Sequence, residues 1–272
     1  MKVPLALHIL SKIAFVLLLV ACHKKVGLEN IAVIGHAGNG MAIASNLFHD
    51  NSQEALELAL NTEGCSGVEF DVRISKDSVL WLFHDEQLDQ QTNLEGSIGN
   101  LTSAELENGH YTSLHQEKLV RLDQFSFQNW SGKTLFFDLK PSVVGDAIQS
   151  TPALFVDLID QLNVGVNNNV RCIVPSKSWY NNLPVSAYID YLMYIPSSED
   201  FDFYISNYSN LCIGFVMRNS AVSKEHVQQV KNLDRQLYLF DMRSPKGIRT
   251  ALKKYPTGVI TDDIKATLIE KY

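Results

Sequence analysis

The sequence predicts an α/β fold in which parallel strands form one eight-stranded barrel surrounded by helices. Short apolar, β-branched runs alternate with stretches of helical periodicity along the chain, and this order favours parallel pairing of the strands. The chain has 272 residues, which is near the length of one complete barrel. No Pro/Gly/Ser-rich linker divides it. We therefore expect a single folded domain.

Nine segments have the apolar character of strands. They are residues 31–35, 67–74, 79–83, 134–139, 170–174, 188–194, 211–216, 236–240 and 258–260. Helical periodicity covers residues 52–61, 152–162 and 224–233. Nine strands are one too many for the barrel. The turn at residues 75–78 would let residues 79–83 fold back as a hairpin beside the second strand.

The first 21 residues have the layout of a secretory signal. Lys2 and Lys12 flank the start, and residues 13–20 form an apolar run that is too short to span a bilayer. The ending Leu19-Val20-Ala21-Cys22 resembles a bacterial lipobox, which implies cleavage before Cys22 and acylation of that residue. The alternative is an ordinary signal peptide or anchor in which Cys22 is incidental.

These features predict three regions along the chain. Residues 1–21 would be a lipoprotein signal peptide, residues 22–29 a polar tether and residues 30–272 the barrel domain. The predicted location is the bacterial cell envelope, with the protein lipid-anchored and facing the periplasm or the cell exterior. We expect contact with the membrane only through the lipid anchor, and no protein partner.

Composition excludes several classes of function. The formal net charge is −7, and removal of residues 1–21 takes away two lysines and no acidic residue, which leaves −9. We do not expect so acidic a protein to bind nucleic acid or to dock electrostatically on anionic lipid. The other cysteines have neither zinc nor disulfide spacing and should be buried apolar residues: Cys65, Cys172 and Cys212.

Four apolar runs end in residues that carry acid/base, charge-binding or metal-binding chemistry. The runs end at His36, at Glu69 and Asp71, at His84-Asp85, and at Asp138 and Lys140. Because the C-terminal ends of parallel strands meet on one side of an α/β fold, we expect one shared site. Two histidines, three carboxylates and a lysine would suit metal-assisted cleavage of a phosphodiester.

The second strand sharpens this prediction. Side chains alternate along a strand, so Glu69, Asp71 and Arg73 share one face while the apolar residues between them face the other way. Two carboxylates on a buried face repel each other unless a cation compensates them, and a hard divalent ion such as Ca²⁺ or Mg²⁺ prefers oxygen ligands. The alternative is a solvated edge strand with alternating charge, but the apolar Val68, Phe70 and Val72 would make such a strand half-buried.

As an ordered set, these segments resemble the motifs of the glycerophosphodiester phosphodiesterases. The matching segments are His36-Ala37-Gly38, Glu69-Phe70-Asp71-Val72, Ser75-Lys76-Asp77-Ser78, His84-Asp85, Asp138-Leu139-Lys140 and Gly258-Val259-Ile260-Thr261-Asp262. The match extends from about Ala32 to Asp262. The resemblance implies a TIM barrel with a small insertion after the second strand, at about residues 85–115, and a site at the C-terminal mouth of the strands.

The resemblance also implies roles for single residues. The metal ligands would be Glu69, Asp71 and Asp138. The acid/base pair would be His36 and His84, and the phosphate-binding cation Lys140. In the family, the adjacent hydroxyl of the substrate glycerol attacks the phosphate, and water then opens the cyclic product. Other histidines lack such contexts and are expected at the surface: His49, His110, His115 and His226.

The chain departs from the family pattern at three places. Ala37 replaces an arginine that contacts phosphate, Asp138 replaces a glutamate, and residues 49–52 stand in place of a Pro-Glu-Asn-Thr motif. Arg73, on the carboxylate face, is the predicted substitute for substrate binding. The related spider-venom-type sphingomyelinase D group also lacks the arginine and has Asp-x-Lys.

The predicted function is metal-dependent hydrolysis of small glycerophosphodiesters to glycerol 3-phosphate and an alcohol. One alternative is phospholipase D-like action on lysophospholipid or sphingolipid. A second is a catalytically inactive barrel that serves as a surface ligand-binding lipoprotein; the missing arginine favours it, and the retained histidines and carboxylates oppose it.

Overall fold

A computed structural model describes residues 27–41, 46–141 and 150–272. The predicted signal peptide, Cys22 and most of the tether lie outside the described residues, so lipidation stays a prediction. Among the described residues, no helix is both long and apolar enough to cross a membrane.

Eight parallel strands close into a barrel, as predicted. The described residues form ten strands: β1 (Ala32–Gly35), β2 (Gly67–Ile74), β3 (Leu80–Leu82), β4 (Val120–Arg121), β5 (Thr134–Leu139), β6 (Asn169–Val174), β7 (Ile189–Tyr194), β8 (Gly214–Arg218), β9 (Gln236–Phe240) and β10 (Gly258–Thr261). Parallel pairing runs from β1 through β2, β5, β6, β7, β8 and β9 to β10, and β10 pairs again with β1.

Helices connect most of the barrel strands. Those described are α1 (Gln53–Asn61), α2 (Ser103–Leu106), α3 (Pro152–Gln161), α4 (Lys177–Tyr180), α5 (Phe201–Tyr208), α6 (Lys224–Asn232), α7 (Pro245–Leu252) and α8 (Ile264–Lys271). Hydroxyl caps fix several of their starts. Ser52 accepts a hydrogen bond from the N–H of Ala55 at the start of α1, and Ser244 accepts one from Gly247 at the start of α7.

The hairpin predicted after the second strand is present. β3 runs antiparallel to β2, with Val72 opposite Leu82, and β4 adds a further antiparallel strand. The insertion follows and has an apolar core of its own: Trp81, Phe83, Leu88, Ile98, Leu106, Tyr111 and Leu119. This core anchors the insertion against the barrel on the side where β2 ends.

Side-chain alternation along β2 separates the core from the site. Val68, Phe70 and Val72 are buried in the main core between the barrel and its helices. Glu69 and Asp71 instead line a cavity at the C-terminal mouth of the barrel. The fold therefore presents the carboxylates inward, as the alternation predicts.

Several elements differ from the prediction. The strand predicted at residues 211–216 lies at Gly214–Arg218, because Leu211 is exposed and its N–H bonds to the carbonyl of Tyr208 in the turn after α5. The sequence pattern also does not predict β4, α2, α4, α5, α7 or α8. In α5, Phe201, Tyr204 and Tyr208 are buried at helical spacing, while Phe203 is exposed.

Of the four histidines expected at the surface, only His115 is exposed. His49 is partly buried and stacks on Tyr111 with ring centroids 3.7 Å apart. His226 is also partly buried and stacks on an aromatic ring of α5 at 4.2 Å. His110 is partly buried as well. The three cysteines of the described residues are buried and free, as predicted.

Candidate active site

Three carboxylates meet at the mouth of the barrel. Asp71 on β2 lies directly beside Asp138 on β5, and Glu69 lies one alternation earlier on β2. One oxygen from each of the three falls within 4.8 Å of the others. Such a set of hard oxygen donors fits a divalent cation of the Ca²⁺ or Mg²⁺ type.

Burial makes this cluster electrostatically unfavourable without a cation. Burial raises the pKa of Glu69 to about 8, and the neighbouring charge of Asp71 adds to the shift. Burial also raises the pKa of Asp138. The pKa of Asp71 falls to about 2, because the charge of Lys140 and a hydrogen bond from Asn51 outweigh the effect of burial. The site thus favours binding of positive charge.

Lys140 already supplies one such charge. Its Nζ lies 2.8 Å from Oδ2 of Asp138 and 3.0 Å from Oδ1 of Asp71. Burial would lower the pKa of Lys140, but these two carboxylates outweigh it and raise the pKa instead. The ammonium group is therefore charged at neutral pH and lies within the carboxylate cluster.

His36 is held by a carboxylate from the last strand. Its Nδ1 lies 2.7 Å from Oδ1 of Asp262, and its Nε2 lies 3.9 Å from Oε2 of Glu69. Burial would lower the pKa of His36, but the hydrogen bond with Asp262 and the charge of Glu69 outweigh it and raise the pKa to about 9. In the loop that follows, Gly38 has φ +92° and a Cβ there would lie 2.9 Å from the backbone of Ala55, so glycine permits the close packing.

His84, which follows β3, has the same arrangement. Its Nδ1 lies 2.7 Å from Oδ1 of Asp85, and Gln91 donates a hydrogen bond to the other oxygen of Asp85. Each histidine therefore has one ring nitrogen fixed by an aspartate and the other available for proton transfer.

The position of Arg73 differs from that of a free phosphate-binding cation. One of its terminal nitrogens donates to the backbone carbonyl of His84 at 2.8 Å, and the other donates to that of Pro141 at 3.5 Å. The guanidinium group thus connects two loops at the site. Its contact with substrate stays a prediction.

The structure adds residues that the sequence did not indicate. The cavity, of about 400 Å³, is also lined by Arg218 after Met217 on β8 and by Asp241 and Arg243 after β9. Asp241 pairs with both arginines, at 2.8 Å to Arg218 and 2.9 Å to Arg243. An apolar run ending in a charged residue marks both strands, the signal that identified the other strand ends. Arg218 was missed because the strand was predicted to end at Val216, two residues before it.

Asn51 is a further residue at the site. Its Nδ2 donates to Oδ2 of Asp71 at 2.8 Å, and its Oδ1 accepts from the N–H of Asp71 at 3.0 Å. Asn51 lies in the segment that replaces the family's Pro-Glu-Asn-Thr motif, and it has φ +57°, which asparagine tolerates. It fixes the orientation of a predicted metal ligand.

Comparison with known proteins agrees with this geometry. The model of the glycerophosphoryl diester phosphodiesterase family matches residues 36–171, half of the chain, and covers both histidines and all three carboxylates. The chain belongs to this family. At Ala37, where the resemblance implies an arginine, the backbone N–H donates to Oε2 of Glu69 at 2.9 Å.

The sequence match to a curated relative covers only part of each chain. A curated glycerophosphodiester phosphodiesterase of Bacillus altitudinis is 39% identical over 62 residues, which is 23% of this chain and 25% of that protein. The match thus spans about a quarter of the curated relative.

Solved structures match over the whole fold. A glycerophosphodiester phosphodiesterase from Agrobacterium tumefaciens aligns with a TM-score of 0.70 and 16% identity, covering 88% of this chain and 98% of that chain. An Oleispira antarctica phosphodiesterase in complex with the product sn-glycerol-3-phosphate aligns with a TM-score of 0.72 and 18% identity, covering 88% and 96%. These likenesses establish the TIM-barrel fold.

Proposed function

We propose that this protein is a metal-dependent glycerophosphodiester phosphodiesterase that releases glycerol 3-phosphate and an alcohol. One observation carries the proposal: two histidines, each oriented by an aspartate, lie with three clustered carboxylates and a lysine in one cavity. Family membership supports the reaction class, and the Oleispira antarctica structure holds glycerol 3-phosphate as its product.

The two histidines would divide the proton transfers. His36 and His84 each have one ring nitrogen held at 2.7 Å by an aspartate. One imidazole takes a proton from the attacking hydroxyl, and the other gives a proton to the departing alkoxide. The aspartates fix the rings, so each free nitrogen stays directed at its proton.

The carboxylates and Lys140 would manage the charge on the phosphate. Glu69, Asp71 and Asp138 would hold a divalent cation, which when bound neutralises charge that develops on the phosphoryl oxygens. Lys140 lies against two of these carboxylates and places its ammonium group at the same edge of the cavity. It would contact an oxygen of the substrate phosphate.

The outer wall of the cavity would bind the rest of the substrate. Arg218 and Arg243 place cations on this wall, and Phe240 lies under the guanidinium of Arg218 at 5.2 Å. The two arginines supply positive charge on the β8 and β9 side of the cavity. The resemblance implies a phosphate-contacting arginine at position 37, where this chain has Ala37. Because Asp241 partly neutralises them, they would orient an anionic diester without trapping the product.

Product identification tests the proposal. The protein would be incubated with glycerophosphocholine, glycerophosphoethanolamine and lysophosphatidylcholine, each with Ca²⁺, with Mg²⁺ and with EDTA. The proposal predicts glycerol 3-phosphate from the first two substrates and only with a cation. Choline release from lysophosphatidylcholine alone would instead support the phospholipase D-like alternative.

A further inference from the structure

Exposed apolar residues are frequent at one end of the barrel. Of the eleven large ones in the part of the chain that the structure describes, six lie in the loops that lead from a helix into the next strand: Val166, Val185, Tyr188, Leu211, Leu233 and Tyr255. Such loops form the end of the barrel opposite the active-site mouth. We infer that this end, called the basal face below, rests on a phospholipid bilayer, so that membrane contact would extend beyond the lipid anchor expected from the sequence.

Four of these residues form one connected patch. Val166, Val185 and Tyr188 line a single cavity, and Val185 and Leu211 line the next one. Their exposed fractions are 69% for Val166, 100% for Val185, 62% for Tyr188 and 61% for Leu211. Contiguous exposed apolar surface of this kind is typical of contacts with a membrane or a protein.

The position at which the chain enters the barrel favours a membrane, and not a protein, as the partner of this patch. Gly27 and Tyr255 line a common cavity on the basal face, next to Lys231 and Lys254. Residues 1–26 precede this point and include the apolar run at residues 13–20. Five residue steps separate Cys22 from Gly27 and span at most about 18 Å. A membrane anchor in this segment would therefore hold the basal face, and not the mouth, close to the bilayer.

The contact would be apolar and not electrostatic. Asp160, Asp190 and Asp234 line the same cavities as the apolar patch and offset nearby cations such as Arg235. Valine and leucine side chains would enter the outer acyl region, and tyrosine rings suit the interface between head groups and water. One acyl chain alone holds a protein only marginally, and the basal face would add an apolar contact to whatever anchor residues 1–26 provide.

This seating sets the direction of the active site. With the basal face on the bilayer, the mouth opens into water on the far side of the barrel. If the proposed function is also correct, substrates reach the site as water-soluble, deacylated glycerophosphodiesters and not as lipids of the supporting membrane. The orientation itself is tested without measuring any activity.

Tryptophan probes placed at opposite ends of the barrel test the inference. The full chain carrying Val185→Trp would be compared with the full chain carrying Leu114→Trp, because Leu114 is 92% exposed and belongs to the insertion on the mouth side. Both would be bound to phosphatidylcholine vesicles with brominated acyl chains, which quench nearby tryptophan. The fluorescence of the unsubstituted protein is subtracted as background.

The inference predicts at least twofold stronger quenching at position 185 than at position 114, with and without phosphatidylglycerol in the vesicles. Equal quenching, or none at either position, would overturn it. A second variant, Val185→Asp with Leu211→Asp, addresses folding and self-association. It should keep the unfolding temperature within a few degrees and lower the affinity for vesicles. A change of oligomeric state in lipid-free solution would show that a second copy, and not a bilayer, covers the basal face.

Discussion

The Nδ1 atom of His36 lies 2.7 Å from Oδ1 of Asp262, across 226 positions of sequence. The bond joins the end of the first barrel strand to the end of the last, so closure of the barrel forms it. Asp262 also accepts the N–H of Met41 at 3.0 Å, which fixes the carboxylate in turn. Orientation of one proposed acid/base group thus depends on the complete fold.

Removing either supporting aspartate should slow catalysis without unfolding the protein. Asp262→Asn and Asp85→Asn would each lower kcat by on the order of 10- to 100-fold, because an amide holds the imidazole less well in its productive orientation. Substrate binding does not use these groups, so KM should change little. The matched control is Asp157→Asn on an exposed face of α3, for which kcat should be unchanged. A larger effect on KM than on kcat would contradict the assigned role.

Metal binding should depend on the three clustered carboxylates. Glu69→Gln removes one ligand charge and should weaken binding of Ca²⁺ or Mg²⁺ at least tenfold in isothermal titration calorimetry. Glu63→Gln, an exposed residue after α1, is the control and should bind the cation as the unsubstituted protein does. Equal cation affinity for both variants would exclude Glu69 as a ligand.

Stability of the metal-free protein should fall as the pH rises. The pKa of Glu69 is about 8 against a usual 4.5, and that of His36 is about 9 against 6.5. Both groups hold a proton more tightly when folded, so their stabilising contributions are complete below the usual values. The contribution of Glu69 is lost between pH 4.5 and 8, and that of His36 between pH 6.5 and 9.

Melting curves check this sign. With EDTA present, the unfolding temperature should decrease from pH 6 to pH 9. A saturating divalent cation should reduce or reverse the decrease, because deprotonated carboxylates bind the cation more tightly. A rise in unfolding temperature with pH in EDTA would show that the cluster does not destabilise the folded state in this way.

The arginines of the cavity wall should contribute to substrate binding. Arg218→Ala should raise KM roughly 10-fold, since a charge-assisted contact to an anionic substrate is worth about 1.5 kcal/mol or more. The matched control is Arg249→Ala, for which KM should not change. The Arg218 and Arg249 side chains are 47% and 48% exposed, and each is paired with a carboxylate. An unchanged KM for Arg218→Ala would remove the outer wall from the binding site.

Much of the fold follows from local patterns. Three of the predicted strands, at residues 67–74, 134–139 and 236–240, have the observed bounds, because alternating or continuous apolar runs mark buried strands directly. The hairpin follows from strand counting and turn chemistry. The shift of β8 reflects tertiary context, since Leu211 is apolar yet lies in an exposed loop.

The candidate site was predictable only in part. Residues directly after an apolar run, such as His36 and Asp138, have a local signal that the closed barrel then brings together. Asp262 ends the last apolar run and Asn51 does not, but neither has a local signal for its role, because both roles depend on hydrogen bonds to residues distant in sequence. The basal face was likewise not predictable, since apolar loop residues look like strand residues until their exposure is known.

The decisive measurement is hydrolysis of glycerophosphocholine by the purified chain with a divalent cation and with EDTA. Glycerol 3-phosphate should be released only with the cation. The rate should fall by about 10²- to 10⁴-fold in His36→Asn and in His84→Asn. The exposed-histidine variant His115→Asn should keep full activity. Undiminished hydrolysis in both active-site variants, or in EDTA, would show that the reaction uses neither these histidines nor a bound cation.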